Sequence, residues 1–89
     1  MVERETEIVN RLGLHARAAA KLVHTAGSFQ SRVTVLKDGE EVDAKSILGI
    51  LLLAAGQGSQ VVVRAEGQDE AEALQAVTAL IANRFDEES

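Results

Sequence analysis

Apolar and polar positions alternate in some stretches of this chain and recur at helical spacing in others. "ERETEIVN", residues 3–10, alternates and reads as a strand that places Thr6 and Ile8 on one face. "HARAAAKLVHTA", residues 15–26, is rich in good helix formers, and Gly27 stands where a helix-terminating glycine belongs. "FQSRVTVLK", residues 29–37, predicts a strand with Phe29, Val33 and Val35 on one side. Asp38-Gly39 follows as a two-residue hairpin signal, and "EEVDA" returns as a short strand. "KSILGILLLAAG" predicts a second helix, stopped by the glycines of "GQG" at 56–58. "QVVVRAEG" is a further strand, and "QDEAEALQAVTALIANRF" predicts an amphipathic helix with Leu74, Val77 and Ile81 in one stripe. That helix has an acidic first turn (Asp69, Glu70, Glu72) and Arg84 near its end, as the macrodipole prefers. "DEES", residues 86–89, reads as a frayed tail.

The resulting order is β-α-β-β-α-β-α. A hairpin flanked by two crossover units predicts an α+β domain, with helices covering one face of a mainly antiparallel sheet. Ferredoxin-like and other sheets share this order, and the pattern alone does not separate them. The 89 residues suit one domain spanning 1–89, because a second would lack chain for its own core.

Composition narrows the chemistry. With 46% hydrophobic residues the domain can build a core without staples, and the absence of cysteine excludes disulfides, thiol nucleophiles and Cys-ligated metals. The start "MVERETEIV" has neither a basic n-region nor a long apolar h-region, so no signal peptide is expected. The longest apolar run, "ILGILLLAAG", is far short of the ~20 residues that span a bilayer. The expectation is a cytoplasmic domain with no membrane insertion. The formal charge is −5, yet between Ile8 and Lys37 there are five basic residues (Arg11, Arg17, Lys21, Arg32, Lys37) and no acidic one. An acidic protein with only Phe29 and Phe85 as aromatics is a poor nucleic-acid binder. The local basic stretch suits a small anion or an acidic partner surface near His15.

His15 falls at or beside the N-cap of the first predicted helix, where none of Ser, Thr, Asp or Asn is present. The first backbone N–H groups therefore lack their usual acceptor, and an anion fits them best, because helix N-termini bind phosphate. Arg17 can add a charge-assisted hydrogen bond, and Gly13 lets the chain turn tightly into the helix. A model imidazole has a pKa of ~6.5, so the ring is mostly neutral near pH 7 and its lone pair is free to attack. A histidine ahead of a helix is more often an ordinary surface residue. His24, nine residues on, points to roughly the opposite side of the helix, and that spacing excludes the two as a metal pair. No metal site or cofactor site is visible.

"GEEVDAKS", residues 39–46, has the length of a phosphate-binding P-loop, but Ala44 replaces the second glycine and Glu40, Glu41 and Asp43 would repel a polyphosphate. Ser46 reads as the N-cap of the second helix, with a regulatory phosphosite as the functional alternative. Ile47, Leu48, Ile50, Leu51, Leu52 and Leu53 cannot all face one core, so part of this helix is expected to form an exposed apolar partner surface.

"GLHAR" with the following "AAAKL", and "KSILGILLLAAGQGSQV" after the Asp-Gly hairpin, resemble the HPr family, the histidine-containing phosphocarriers of the bacterial phosphotransferase system. The resemblance runs over about residues 3 to 85. It implies an open-faced β-sandwich, a four-stranded antiparallel sheet with three helices packed on one side. It implies that His15 accepts a phosphoryl group from enzyme I, itself charged by phosphoenolpyruvate, and donates it to EIIA-type proteins for sugar uptake. By the same resemblance Arg17 helps bind the phosphoryl group, and Ser46 matches the serine that HPr kinase/phosphorylase modifies in many bacteria. Ile47, Leu48 and Leu51 match part of the family's apolar partner-docking surface, and Ala20 and Lys21 are expected to belong to the same partner surface. Where the family usually reads "HARP", Ala18 stands in place of proline; alanine keeps the helix but fixes the His15 loop less rigidly.

Other functions stay open on the residues alone. The terminal "ALIANRFDEES" resembles the nitrogen-related (NPr-like) branch of the family, while "AKSI" leans toward the sugar branch. A ferredoxin-like module binding a small ligand would leave His15 without a task, and a catabolite-repression partner would act mainly through Ser46. No general base or substrate pocket for independent chemistry is visible, so the chain is expected to be a carrier rather than a self-sufficient enzyme. A monomer is expected, because the apolar patch has to stay free for successive partners.

Overall fold

A computed structural model describes residues 1–88. Four strands, β1 (Val2–Glu7), β2 (Arg32–Lys37), β3 (Glu40–Asp43) and β4 (Gln60–Glu66), form one antiparallel sheet in the order β1-β4-β2-β3. Three helices, α1 (Ala16–Gly27), α2 (Ile47–Leu52) and α3 (Glu70–Ala82), cover one face. The expected α+β open-faced sandwich is the observed architecture. Period-two alternation explains the layering. Val33 and Val35 of β2 and Val61, Val63 and Ala65 of β4 are buried beneath the helices. Arg32, Glu66, Glu3 and Arg64 occupy the opposite phase of their strands, and Arg64 bridges to Glu3 across the β1–β4 pair at 2.9 Å.

The β2–β3 hairpin forms as the Asp-Gly pair predicts. Asp38 (φ 52°) and Gly39 (φ 85°) are both left-handed, the requirement of a type I′ turn, and Lys37 pairs with Glu40 across it. Strand β2 starts three residues later than predicted, and Phe29 lies outside it. The amides of Gln30 and Ser31 donate to the carboxylate of Asp69 at 3.0 and 2.9 Å instead of to a neighbouring strand. Helix α2 is also shorter than predicted: Ser46 caps it by accepting from the Gly49 amide at 3.1 Å, and Ala54 breaks it by turning left-handed (φ 50°). Ala55 can then accept a hydrogen bond from the Leu14 amide at 2.9 Å, which ties the end of α2 to the segment before α1.

Beyond α3 the described residues through Glu87 do not fray. Arg84, Phe85 and Asp86 (φ 57°, 54° and 63°) make a short left-handed turn that buries the Phe85 ring completely. Left-handed backbone costs about 1–2 kcal/mol per non-glycine residue, whereas burying a phenylalanine returns about 1.5–3 kcal/mol. The ring alone does not offset three such residues. Additional bonds hold the turn: Lys21 Nζ donates to the Phe85 carbonyl at 2.7 Å, and Asn83 Nδ2 donates to Asp86 at 2.7 Å. The amides of Asp86 and Glu87 donate to the carbonyls of Asn83 and Arg84 at 3.0 and 2.9 Å. The predicted tail is therefore docked through Glu87, because a buried ring and this set of hydrogen bonds anchor it; Ser89 lies outside the described residues.

Candidate functional site

The segment leading into α1 is pinned before it reaches His15. Gly13 takes φ +67° and packs so closely that a Cβ would stand 2.6 Å from the Ala55 oxygen and 2.7 Å from the Gly56 Cα. Asn10, fully buried, donates from Nδ2 to the Gly13 carbonyl at 2.8 Å, and the Gly13 amide donates back to the Asn10 carbonyl at 3.2 Å. His15 then adopts extended backbone (φ −74°, ψ 176°) as the N-cap of α1, and its carbonyl accepts from the Ala19 amide at 2.8 Å.

The sequence suggested that the first amides of α1 lack a side-chain acceptor. The structure supplies one in the histidine itself: the Arg17 amide donates to Nδ1 of His15 at 3.3 Å. The reason is the extended cap conformation, which swings the ring over the open end of the helix, much as an Asp or Asn cap would be placed. At the other nitrogen, Nε2 is hydrogen-bonded to Glu87, whose second oxygen accepts from Asn10 Nδ2 at 2.9 Å. One nitrogen accepts and the other faces a carboxylate, so the consistent neutral tautomer carries its proton on Nε2. The Asn10 bond first, and the His15 bond second, hold the Glu87 carboxyl below the usual carboxylate range, against the opposing effect of partial burial.

Around the ring lies an open hollow of about 770 Å³, lined by Arg11, Leu12, Arg17 and Lys21 on one side and by Asp86, Glu87 and Glu88 on the other. The local basic stretch seen in the sequence is therefore met by acidic residues of the tail, which the linear charge pattern placed at the far end of the chain. Ala16 and Arg17 are exposed, while Ala18, the residue in place of proline, is fully buried in α1. Ala20 and Lys21 share a second hollow with Arg17, His24 and Leu80. His24 thus lies on the Arg17–Lys21 stripe of α1.

On α2, Ile47, Leu48, Leu51 and Leu52 are exposed by 45, 67, 37 and 66%, whereas Ile50 and Leu53 face the core. The exposed apolar face expected from the sequence is present, and it includes Leu52, which was not singled out. Leu12, 64% exposed beside His15, is a further apolar group that the sequence did not flag. Asn10 and Glu87 were missed as well. The nearest signal for Glu87 was an acidic terminus, and nothing in it specified a partner 72 residues away.

The chain as a whole is similar to known proteins. The family model described as "PTS HPr component phosphorylation site" matches residues 2–83. A phosphocarrier protein HPr of Cupriavidus necator is 56% identical over 87 residues, covering 98% of either chain. The crystal structure of an HPr-C-His protein from Thermoanaerobacter tengcongensis superimposes with a TM-score of 0.96 at 49% identity, covering all of both chains. A structure described as an HPr dimer from the same organism, also 49% identical, gives 0.79 over 98% of this chain and 100% of that one. With its family-model match, its full-length relatives and the shared four-stranded, three-helix fold, the chain belongs to the HPr family of phosphocarriers of the phosphotransferase system.

Proposed function

We propose that His15 carries a phosphoryl group on Nδ1, accepting it from enzyme I and passing it to EIIA-type proteins for sugar uptake. The observation that carries this reading is the placement of Nδ1 at the open N-terminal end of α1 with the ring proton consigned to Nε2. A lone pair on Nδ1 is available for attack on phosphorus without prior loss of a proton. The product is an anion at a helix N-terminus, where a negative charge gains about 0.3–1 kcal/mol from the helix dipole, and where the Arg17 amide can turn from Nδ1 to a phosphoryl oxygen. Arg17, exposed beside the ring, adds a charge-assisted bond to the same group. The effect is modest by design: a carrier needs a phosphoryl group stable enough to move between partners and labile enough to leave.

The apolar residues Ile47, Leu48 and Leu51, with Ala20 and Lys21 of α1, serve as the docking surface for successive protein partners. Ser46, the α2 N-cap, lies at the edge of that surface; phosphorylation by an HPr kinase/phosphorylase would add about two negative charges there and weaken docking. The chain works as a cytoplasmic monomer, since a dimer that covered the α2 face would block it.

The test is to incubate the protein with phosphoenolpyruvate and enzyme I and to follow intact mass beside a His15→Ala control. One acid-labile phosphoryl group on the wild type and none on the control is the expected result. Transfer from a nitrogen-branch donor but not from the general enzyme I would assign the chain to the NPr-like branch, and failure with both would overturn the carrier reading.

A further inference from the structure

The carrier mechanism uses a ring proton on Nε2, the nitrogen that Glu87 contacts, and the fold goes to some length to place that carboxylate. Three consecutive left-handed residues, a buried Phe85 and the Lys21 bond to the Phe85 carbonyl bring the tail back across the mouth of α1. Both amide hydrogens of the buried Asn10 are in use, one on the Gly13 carbonyl of the His15 segment and one on Glu87. Asn10 therefore couples the position of the carboxylate to that of the histidine. Resting on the carrier reading above, we infer that Glu87 is a positioning residue for His15, holding the ring proton on Nε2 throughout the transfer cycle.

In the accepting step the Nδ1 lone pair forms a bond to phosphorus. The bond from phosphorus to the donor breaks, and its electron pair stays with the donor. The ring, still protonated on Nε2, then bears a positive charge directly opposite the Glu87 carboxylate. In the donating step the acceptor's nucleophile bonds to phosphorus, the N–P bond breaks and its pair returns to Nδ1. The ring is restored as neutral imidazole, and no proton has left it. Without the Nε2 proton the departing group would be an imidazolate, a far stronger base and a poorer leaving group. Arg11, Arg17 and Lys21 around the same hollow favour loss of that proton, while Asp86, Glu87 and Glu88 oppose it. Of these groups Glu87 is the one hydrogen-bonded to Nε2 among the described residues. A carboxylate in contact with a cation favours its protonated form.

The experiment compares the full-length wild type with Glu87→Ala and Glu87→Gln, each labelled with ¹⁵N-histidine. In the unphosphorylated proteins the ring ¹⁵N shifts report the tautomer: wild type is expected to hold the proton on Nε2, and Glu87→Ala to populate both nitrogens. After phosphorylation by phosphoenolpyruvate and enzyme I, the ring is titrated. Its midpoint is expected to lie lower in both variants than in the wild type, with transfer to an EIIA protein declining earlier on the alkaline side. Glu87→Gln keeps the side chain's length without its charge, so its melting temperature stays near wild type and its shifted midpoint is not a folding effect. A wild type that takes no phosphoryl group overturns the carrier reading and this inference together. A phosphorylated wild type whose midpoint and tautomer are matched by both variants overturns the inference alone.

Discussion

Replacing Gly13 by alanine tests how the segment before α1 sets the position of His15. Gly13 has φ +67°, where a residue with a Cβ costs about 1–2 kcal/mol. The added carbon would also stand 2.6 Å from the Ala55 oxygen, the acceptor of the Leu14 amide, and 2.7 Å from the Gly56 Cα. Both are backbone atoms, so the clash cannot be relieved by turning a side chain. Overpacking of a buried site costs about 1–3 kcal/mol, and weakening the Leu14–Ala55 hydrogen bond adds about 1 kcal/mol. The sum is a destabilisation of about 3–6 kcal/mol. At about 4–8 °C per kcal/mol for a domain of this size, thermal unfolding followed by circular dichroism should show a loss of at least about 10 °C. Phosphoryl acceptance should fall further than in an equally destabilised Val77→Ala control, whose cavity lies under α3 and away from the ring. A Gly13→Ala protein that melts within 2 °C of wild type, roughly the effect of a neutral surface change, would refute the steric argument.

Other substitutions address separate parts of the account. Asp69 holds its carboxyl well below the usual range, at about 2 against 3.8, chiefly through the Ser31 hydroxyl and then the Gln30 amide. Because its folded value is depressed, its contribution is complete above about pH 4 and is lost as pH falls through about 2; the stability gap between wild type and Asp69→Asn should therefore close over that window in acid titrations monitored by fluorescence-free circular dichroism. Ser46→Ala should lower stability by about 1 kcal/mol in urea unfolding through loss of the α2 cap, whereas Ser46→Asp, which keeps a capping oxygen, should stay within about 0.5 kcal/mol of wild type and still slow transfer from enzyme I. Leu48→Glu, at a position 67% exposed, should leave stability within about 0.5 kcal/mol while raising the enzyme I concentration needed for half-maximal transfer by about tenfold, the equivalent of 1.4 kcal/mol of docking energy.

Much of this architecture is written locally. The Asp38-Gly39 turn, the alternation of Val61, Val63 and Ala65, and the helix-forming run after His15 each depend on neighbours within a few residues. Gly13 was legible for the same reason, as a flexible residue beside a helix start. What escaped reading depends on distant partners. The first residues of the expected second strand are diverted by Asp69, 38 residues further on. The tail is docked by a left-handed turn built from Arg84, Phe85 and Asp86, none of which is the glycine that normally marks such backbone. Glu87 belongs to the site only because that turn forms, and Asn10 only because it bridges the two. On α2 the excess of large apolar residues announced an exposed face, but which of them face outward follows from the helix's short span and its left-handed exit at Ala54.

The most direct test of the central claim is the position of the phosphoryl group on the His15 ring. The protein is labelled with ¹⁵N-histidine, charged by phosphoenolpyruvate and enzyme I, and examined for ³¹P–¹⁵N coupling before hydrolysis sets in. Coupling to Nδ1 of His15, with the proton retained on Nε2, is the result predicted by a ring poised over the N-terminus of α1. A phosphoryl group on Nε2, the nitrogen occupied by Glu87, or on any residue other than His15, would contradict the account.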